Sequence, residues 1–517
     1  MTDVKTPLLA DQEDLSYSSI GDPCTVNPDR KHSESSIDIK TSASAQAGDV
    51  TKYDVKVKLY KRRWYMLVIF SLMSGTQSFV WNTWAPISNS SEVAFGWNDA
   101  VISLMANWGP ITFFIGMPLF AWMLDMKGLR ISSLLSMFMI AAGCGIRCIT
   151  TSPPWVTWTM HIGQFLNGLA GPVGTGGPPS MSATWFPPNE RTTATALATI
   201  IKFLMVACSF VVGPQLVPEV HTKNCTLDNF TMSSSPASQF EEFHLEHGCM
   251  NGTNVTVPTV AKLREDIMFL MYVECGWSVG LFLIMLLYFP NKPPHPPCVS
   301  ASVKRESFKQ GVMDLLRRRQ FWVLALVFCL AGGGSTAWTG VLKVNMKPTG
   351  ISQDQAGWIG FYTFFASCAA MLVVARLVDL FSRYMKWFIS GVYFIAAAFF
   401  AWFAVICTGV LPATLPVLYV SVMTGQTALT TAIPIVYEMG CELTYPIGEG
   451  TANIAMTLMN NVGALIFLLV LMIPNIGTVW MNWALVGAIG LSIPMVLLIR
   501  ETHPRLDVDE TKVVEKE

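Results

Sequence analysis

Twelve apolar stretches, arranged as two sets of six, constrain this chain more than any other feature of it. A helix of about 20 apolar residues crosses a bilayer and satisfies its own backbone polar groups while doing so. The spans read near 64–86, 100–124, 129–150, 155–178, 193–214, 266–289, 321–346, 355–378, 386–408, 413–437, 447–473 and 477–499. A short acidic turn follows the second span of each set. In the first set Asp125, Gly128 and Arg130 lie in A-W-M-L-D-M-K-G-L-R; in the second, Asp379 and Arg383 lie in A-R-L-V-D-L-F-S-R. Secondary transporters use internal repeats of this kind to build a pathway where two halves meet. The expected fold class is therefore an all-α membrane protein with twelve transmembrane helices in two six-helix bundles.

Composition agrees: 52% of residues are hydrophobic and 13% charged, against about 25% charged in soluble domains. The net charge of −1 says little, but the distribution of Lys and Arg predicts orientation. Lys56, Lys58, Lys61, Arg62 and Arg63 precede the first span, and Lys127 and Arg130 follow the second. Lys304, Arg305, Lys309 and Arg317 to Arg319 lie between the sixth and seventh, and Arg383 and Lys386 between the eighth and ninth. Both termini are expected to be cytoplasmic.

The organisation expected from these boundaries has five parts. Residues 1–55 form a polar, aperiodic tail of disordered character, and 56–289 form the first bundle. Residues 290–319, with Pro293, Pro294, Pro296 and Pro297, form a cytoplasmic linker; 320–500 form the second bundle and 501–517 a cytoplasmic tail. The connection 215–265 holds four N-glycosylation sequons, at Asn224, Asn229, Asn251 and Asn254, and Asn89 heads another in the first outer connection. Those connections are expected on the lumenal or extracellular side. Cys225 and Cys249 in the same loop are candidates for a disulfide, which would constrain the loop by about 3 kcal/mol.

Leu8 and Leu9, preceded by Asp3, resemble an acidic dileucine signal of the kind read by clathrin adaptors in endosomal and lysosomal sorting; Asp3 stands one residue further upstream than usual. The titratable residues inside spans are Arg147, His161, Lys202 and Glu274. Each costs about 2.5–3.5 kcal/mol near mid-bilayer on insertion scales. Glu274 is the first candidate for a proton carrier and His161 the second. A structural ion pair between Glu274 and Arg147 or Lys202 is the competing reading. Asp125 and Asp379 are placed to accept hydrogen bonds from a neighbouring helix, with Arg130 and Arg383 beside them, so that the turns act as a gate. Glu438, Glu442 and Glu449 are read as clustered about the connection between the tenth and eleventh spans. The glycines between Gly168 and Gly177 lack a following Gly-Lys-Ser/Thr, which excludes a phosphate loop and leaves close helix packing. No nucleophile constellation, zinc pattern or nucleic-acid surface is present in the sequence; no enzyme activity, metal or cofactor is expected.

The two turns resemble the signature turn of the major facilitator superfamily, with Ala121 and Ala375 in place of its first Gly, and Met126 and Leu380 in place of its basic residue. Further strings resemble solute carrier family 49, and its member 4 branch in particular: V-W-N-T-W-A-P-I at 80–87, G-I-R-C-I at 145–149, G-Q-F-L-N-G-L-A-G-P at 163–172, A-G-W-I-G-F at 356–361 and E-L-T-Y-P-I-G-E-G at 442–450. The resemblance runs from about residue 58 to 505. It implies a major facilitator fold with alternating access, and proton-driven transport of pyridoxine across the lysosomal membrane. A plasma-membrane carrier of choline or heme is the alternative transport reading, and a non-transporting nutrient receptor or scaffold is a third. In this fold spans one and seven usually line the cavity. Gln77, Trp81 and Asn82 in the first, Ser335 and Trp338 in the seventh, and Gln164 and Asn167 in the fourth are then the expected substrate contacts. An aromatic face with an amide suits a flat heteroaromatic ring.

Overall fold

The computed structural model describes residues 57–152, 154–218, 260–302, 308–340, 353–471 and 479–514. Leu8, Leu9, Asn224, Asn229, Cys225, Cys249, Asn251 and Asn254 lie outside the described residues.

Among the described residues the regular structure is helical. The first set comprises span one, Arg62–Trp81; span two, Asp99–Trp122; span three, Leu129–Arg147; span four, as Trp155–Leu169, Gly171–Gly176 and Pro178–Trp185; span five, Arg191–Leu216; and span six, Val260–Leu287. The second set comprises span seven, as Arg319–Val327, Phe328–Gly333 and Gly334–Gly340; span eight, Gln353–Leu380; span nine, Met385–Cys407; span ten, Leu415–Thr444; span eleven, Glu449–Leu471; and span twelve, Val479–Leu498. Eight helices among the described residues are long and apolar enough to cross a membrane by length and composition. Span four is interrupted where Pro172, Pro178 and Pro179 remove backbone donors.

Each set has its own core. Met66, Phe70, Phe120, Met137 and Met285 are buried together in the first, and Phe321, Trp338, Phe400, Phe403 and Leu485 in the second. The sets meet where span two packs on span eleven and span five on span eight. Small and aromatic side chains line the latter seam: Ala196 is buried with Met371 and Ala375, and the Phe203 and Phe364 rings meet edge-on at 5.7 Å.

Three boundaries differ from the sequence reading. Span ten continues to Thr444, so Glu438 and Glu442 lie on its last two turns rather than in a connection. Span six begins at Val260, which puts Glu274 midway along it. The segment after span twelve is not a loose tail within the described residues: Pro504–Val514 forms a helix that packs on span ten.

Candidate functional site

The two acidic turns cap helices of the opposite half. Span two ends in a widened π-turn, Met123–Lys127, which carries Asp125 beyond the regular helix. Its carboxylate accepts from the backbone N–H groups of Gly450 and Thr451, both at 2.8 Å, and from the Thr451 hydroxyl. These are the second and third residues of span eleven, where helix donors have no partner within the helix. Gly448 and Gly450 allow the approach: a Cβ on either would meet the Asp125 carboxylate at 2.2 and 2.6 Å. Asp379 does the same in mirror image, accepting from Thr192 N–H at 2.9 Å and Thr193 N–H at 2.7 Å, the second and third residues of span five. A carboxylate at a helix N-terminus is stabilised by two bonds and by the helix dipole.

The arginines of the turns do not form these contacts. Arg130 is exposed, and among the described residues the bond it makes to another segment is from its backbone N–H to Asn291 Oδ1 at 3.0 Å, beside Gly128 with its positive φ. Arg383 instead binds Asp507 at 3.0 Å and Glu510, both on the C-terminal helix. That helix supplies the buried partners at this end. Arg505, 1% exposed, pairs with Glu438 at 3.2 Å and Glu449 at 3.5 Å, and Glu442 accepts from Leu506 N–H at 3.4 Å. Burial pulls the Arg505 pKa down, but the carboxylates of Glu438 and Glu449 more than reverse this and leave it raised. Asp509 binds Arg191 at 3.4 Å and the Ser300 N–H at 2.7 Å. Arg191, Thr192, Thr193, Gly450, Thr451, Arg505 and Asp509 were not singled out by sequence reasoning. The G-E-G-T and R-T-T strings at the starts of spans eleven and five were the available signal, because each offers free N–H groups at a helix start.

Further into the first half, Glu274 is buried and shared. Its Oε2 takes a bond from Arg147 Nη1 at 3.0 Å, and its Oε1 takes one from the Thr83 hydroxyl at 2.5 Å. Arg147 Nη2 also donates to Gln164 Oε1, and Gln164 Nε2 donates to the Trp81 carbonyl at 3.2 Å. Arg147 lies across Gly163, where a Cβ would strike its Cγ at 2.6 Å, and Gly163 in turn faces Gly143 of span three. The small residues thus set the depth of the ion pair. Of the two sequence alternatives for the partner of Glu274, the structure selects Arg147. His161 Nδ1 accepts from Trp108 Nε1 at 2.9 Å, so its acceptor nitrogen is occupied.

The expected substrate contacts divide into two groups. Asn167 and Gln77 tie spans one and four together: Asn167 Nδ2 donates to the Gln77 carbonyl at 3.1 Å, and Gln77 Nε2 donates to the Asn167 carbonyl at 3.4 Å. Gln164, Asn167 and Gln77 are buried in these roles. Trp338 corrects the sequence reading: it is 0% exposed, its N–H donates to Asn482 Oδ1 at 2.8 Å and its ring packs edge-on against Phe400 and Phe403. This indole, in the Gly334–Gly340 piece of span seven, lies in the bundle core with its N–H partnered there. Trp81 is 38% exposed, Asn82 is half-buried with its amide on Ser209 Oγ at 2.8 Å, and Ser335 meets Gln426 Nε2 at 2.9 Å. Asn89 is exposed on the short helix Ser88–Phe95, at the end of the molecule opposite the acidic turns.

A Major Facilitator Superfamily model matches residues 269–468. The solute carrier family 49 member 4 homolog of Xenopus tropicalis is 34% identical over 456 residues, which is 87% of this chain and 94% of that protein. The chain belongs to solute carrier family 49. The choline/ethanolamine transporter FLVCR1 of Mus musculus is a more distant relative, 25% identical over 77% of this chain and 67% of its own length. A double-tryptophan variant of XylE shares the fold with a TM-score of 0.60 at 12% identity, covering 88% of this chain and all of that one. This family 49 protein is a multi-pass membrane transporter, not an enzyme, and it binds a small molecule within a lipid bilayer. Its two mirrored acidic turns occupy the end of the fold where the halves are in contact.

Proposed function

We propose that this transporter carries pyridoxine or a similar small metabolite out of the lysosome, driven by protons moving the same way, by rocking of its two bundles. The member 4 relative supports the choice of branch. The observation that carries coupling is the Glu274 carboxylate, buried midway along span six on Arg147 and Thr83. Protonating it would release Arg147 toward Gln164 and the Trp81 carbonyl, changing the support under the exposed Trp81 ring. His161 is the second proton candidate. Trp81 and Asn82 form the substrate-facing set, with Gln77, Gln164 and Asn167 holding them in place, and Ser335 contributes from span seven beside Gln426.

On this reading the end bearing Asp125 and Asp379 is cytoplasmic, both termini lie there, and the two caps form the cytoplasmic gate in its closed state. Asn89, Asn224, Asn229, Asn251 and Asn254 are then lumenal glycosylation sites, with Cys225 and Cys249 bridged in the same compartment. Leu8 and Leu9 direct the protein to lysosomes through clathrin adaptors.

The test is labelled pyridoxine uptake into cells expressing the Leu8→Ala, Leu9→Ala variant at the surface, at lysosomal and at neutral external pH. Acid-stimulated uptake that loses its pH dependence in Glu274→Gln, at equal surface level, supports the reading. An Arg147→Gln, Glu274→Gln double variant separates lost coupling from lost folding. No uptake at either pH with the protein at the surface discards pyridoxine and leads to choline, which relatives such as FLVCR1 are named for.

A further inference from the structure

Most buried charges described above have a partner. Arg147 has Glu274, Arg191 has Asp509, and Arg505 has Glu438 and Glu449. Asp125 and Asp379 have helix N–H groups, and Glu442 has the Leu506 N–H. Lys202 is different. It stands near the middle of span five, half-buried, and among the described residues it makes no ion pair or hydrogen bond.

Its direction follows from its neighbours on the helix. Leu204, Cys208 and Val211 mark the outward face by their exposure. At about 100° per residue, Lys202 lies on the opposite side. Met205, about 60° away on one flank, fills the space over Gly75 of span one. Phe203, about 100° away on the other, meets Phe364 of span eight at 5.7 Å. Lys202 therefore projects into the wedge between span one of the first half and span eight of the second, midway along the helix.

We propose that Lys202 is the binding position for an anionic oxygen, carboxylate or phenolate, on a small aromatic substrate. A half-buried ammonium held without a counterion is costly, and a ligand that supplies the missing charge recovers that cost each time it binds. Phe203 and Phe364 add aromatic surface beside the charge. The position lies between the halves, so a ligand on it contacts both, as alternating access requires. The proposal deepens the transport reading: it names a charge on the substrate and does not depend on pyridoxine being that substrate.

The experiment uses the purified full chain in lipid nanodiscs. The melting midpoint is read with three pairs of matched shape, each an anion and its neutral counterpart: nicotinate and nicotinamide, pyridoxate and pyridoxine, benzoate and benzamide. In at least one pair the anion stabilises more; Lys202→Gln removes that excess and weakens binding about tenfold or more, the scale of one charge-assisted bond, while Lys202→Arg keeps it. Without ligand, Lys202→Gln melts at or above the parent, because an unpaired charge has been removed. An absent excess in all pairs, an excess that survives Lys202→Gln, or a large drop in the ligand-free midpoint of Lys202→Gln each overturns the proposal. Loss of pyridoxine uptake with the anion excess intact removes the pyridoxine assignment and leaves Lys202 standing.

Discussion

The acidic-turn end and the middle of the first half both bury charge, but they connect different bodies. Asp125 and Asp379 bridge the halves, over separations of 325 and 187 residues along the chain. Arg147 and Glu274 join spans three and six of one half. A contact across the halves must break whenever the bundles rock apart, whereas one inside a bundle does not have to break for them to move. The first kind therefore sets the balance between states, and the second sets the stability of the moving body. The chemistry follows this division. The bridges are carboxylate caps on buried helix starts, individually modest, while the internal pair is a buried ion pair whose disruption is severe.

The sharpest way to break the comparison is at Glu274. Glu274→Gln leaves Arg147 buried without its charge partner and lowers stability by about 3–5 kcal/mol, seen as a drop in melting midpoint; adding Arg147→Gln restores most of it. If the single and double variants melt alike, the pair is not structural. Next is Arg505→Ala, which strands Glu438 and Glu449 within the second half and lowers its stability by about 3 kcal/mol, seen as a drop in melting midpoint. Opening of the caps is read by labelling of a Thr184→Cys reporter, in a cavity beside Asp125. Asp125→Asn and Asp379→Asn each raise the same labelling about fivefold, for about 1 kcal/mol per cap, and their effects add. A response to only one of them would sink the mirrored arrangement. Arg383→Ala is smallest, under about 0.5 kcal/mol after solvent screening, because Arg383, Asp507 and Glu510 are all exposed.

What was legible in the sequence follows the same line. Asp125 and Asp379 stood out because a repeated turn marks itself, and their capping role was readable from carboxylate chemistry. Their receiving helices were not: G-E-G-T and R-T-T mark helix starts, but nothing local pairs a turn with a start 325 or 187 residues away. Arg147 was one of two named partners for Glu274; choosing it took the contact of Gly143 with Gly163, which brings spans three and four together. Trp338 misled because an aromatic in mid-span looks alike whether it lines a cavity or fills a core, and only Asn482 and the Phe400 and Phe403 rings decide. The helix Pro504–Val514 reads as a polar tail because its anchors are charges rather than an apolar stripe.

By itself the sequence determined the membrane class, the two sets of six spans, the acidic turns and the inventory of intramembrane charges. Those depend on hydropathy and local order, which are written residue by residue. Only the tertiary structure decided which charges are paired, which helix each turn caps, and that Lys202 is left facing the wedge between the halves. A buried charge is resolved by whichever group lies within a few ångströms of it, and that distance exists only after the helices have packed.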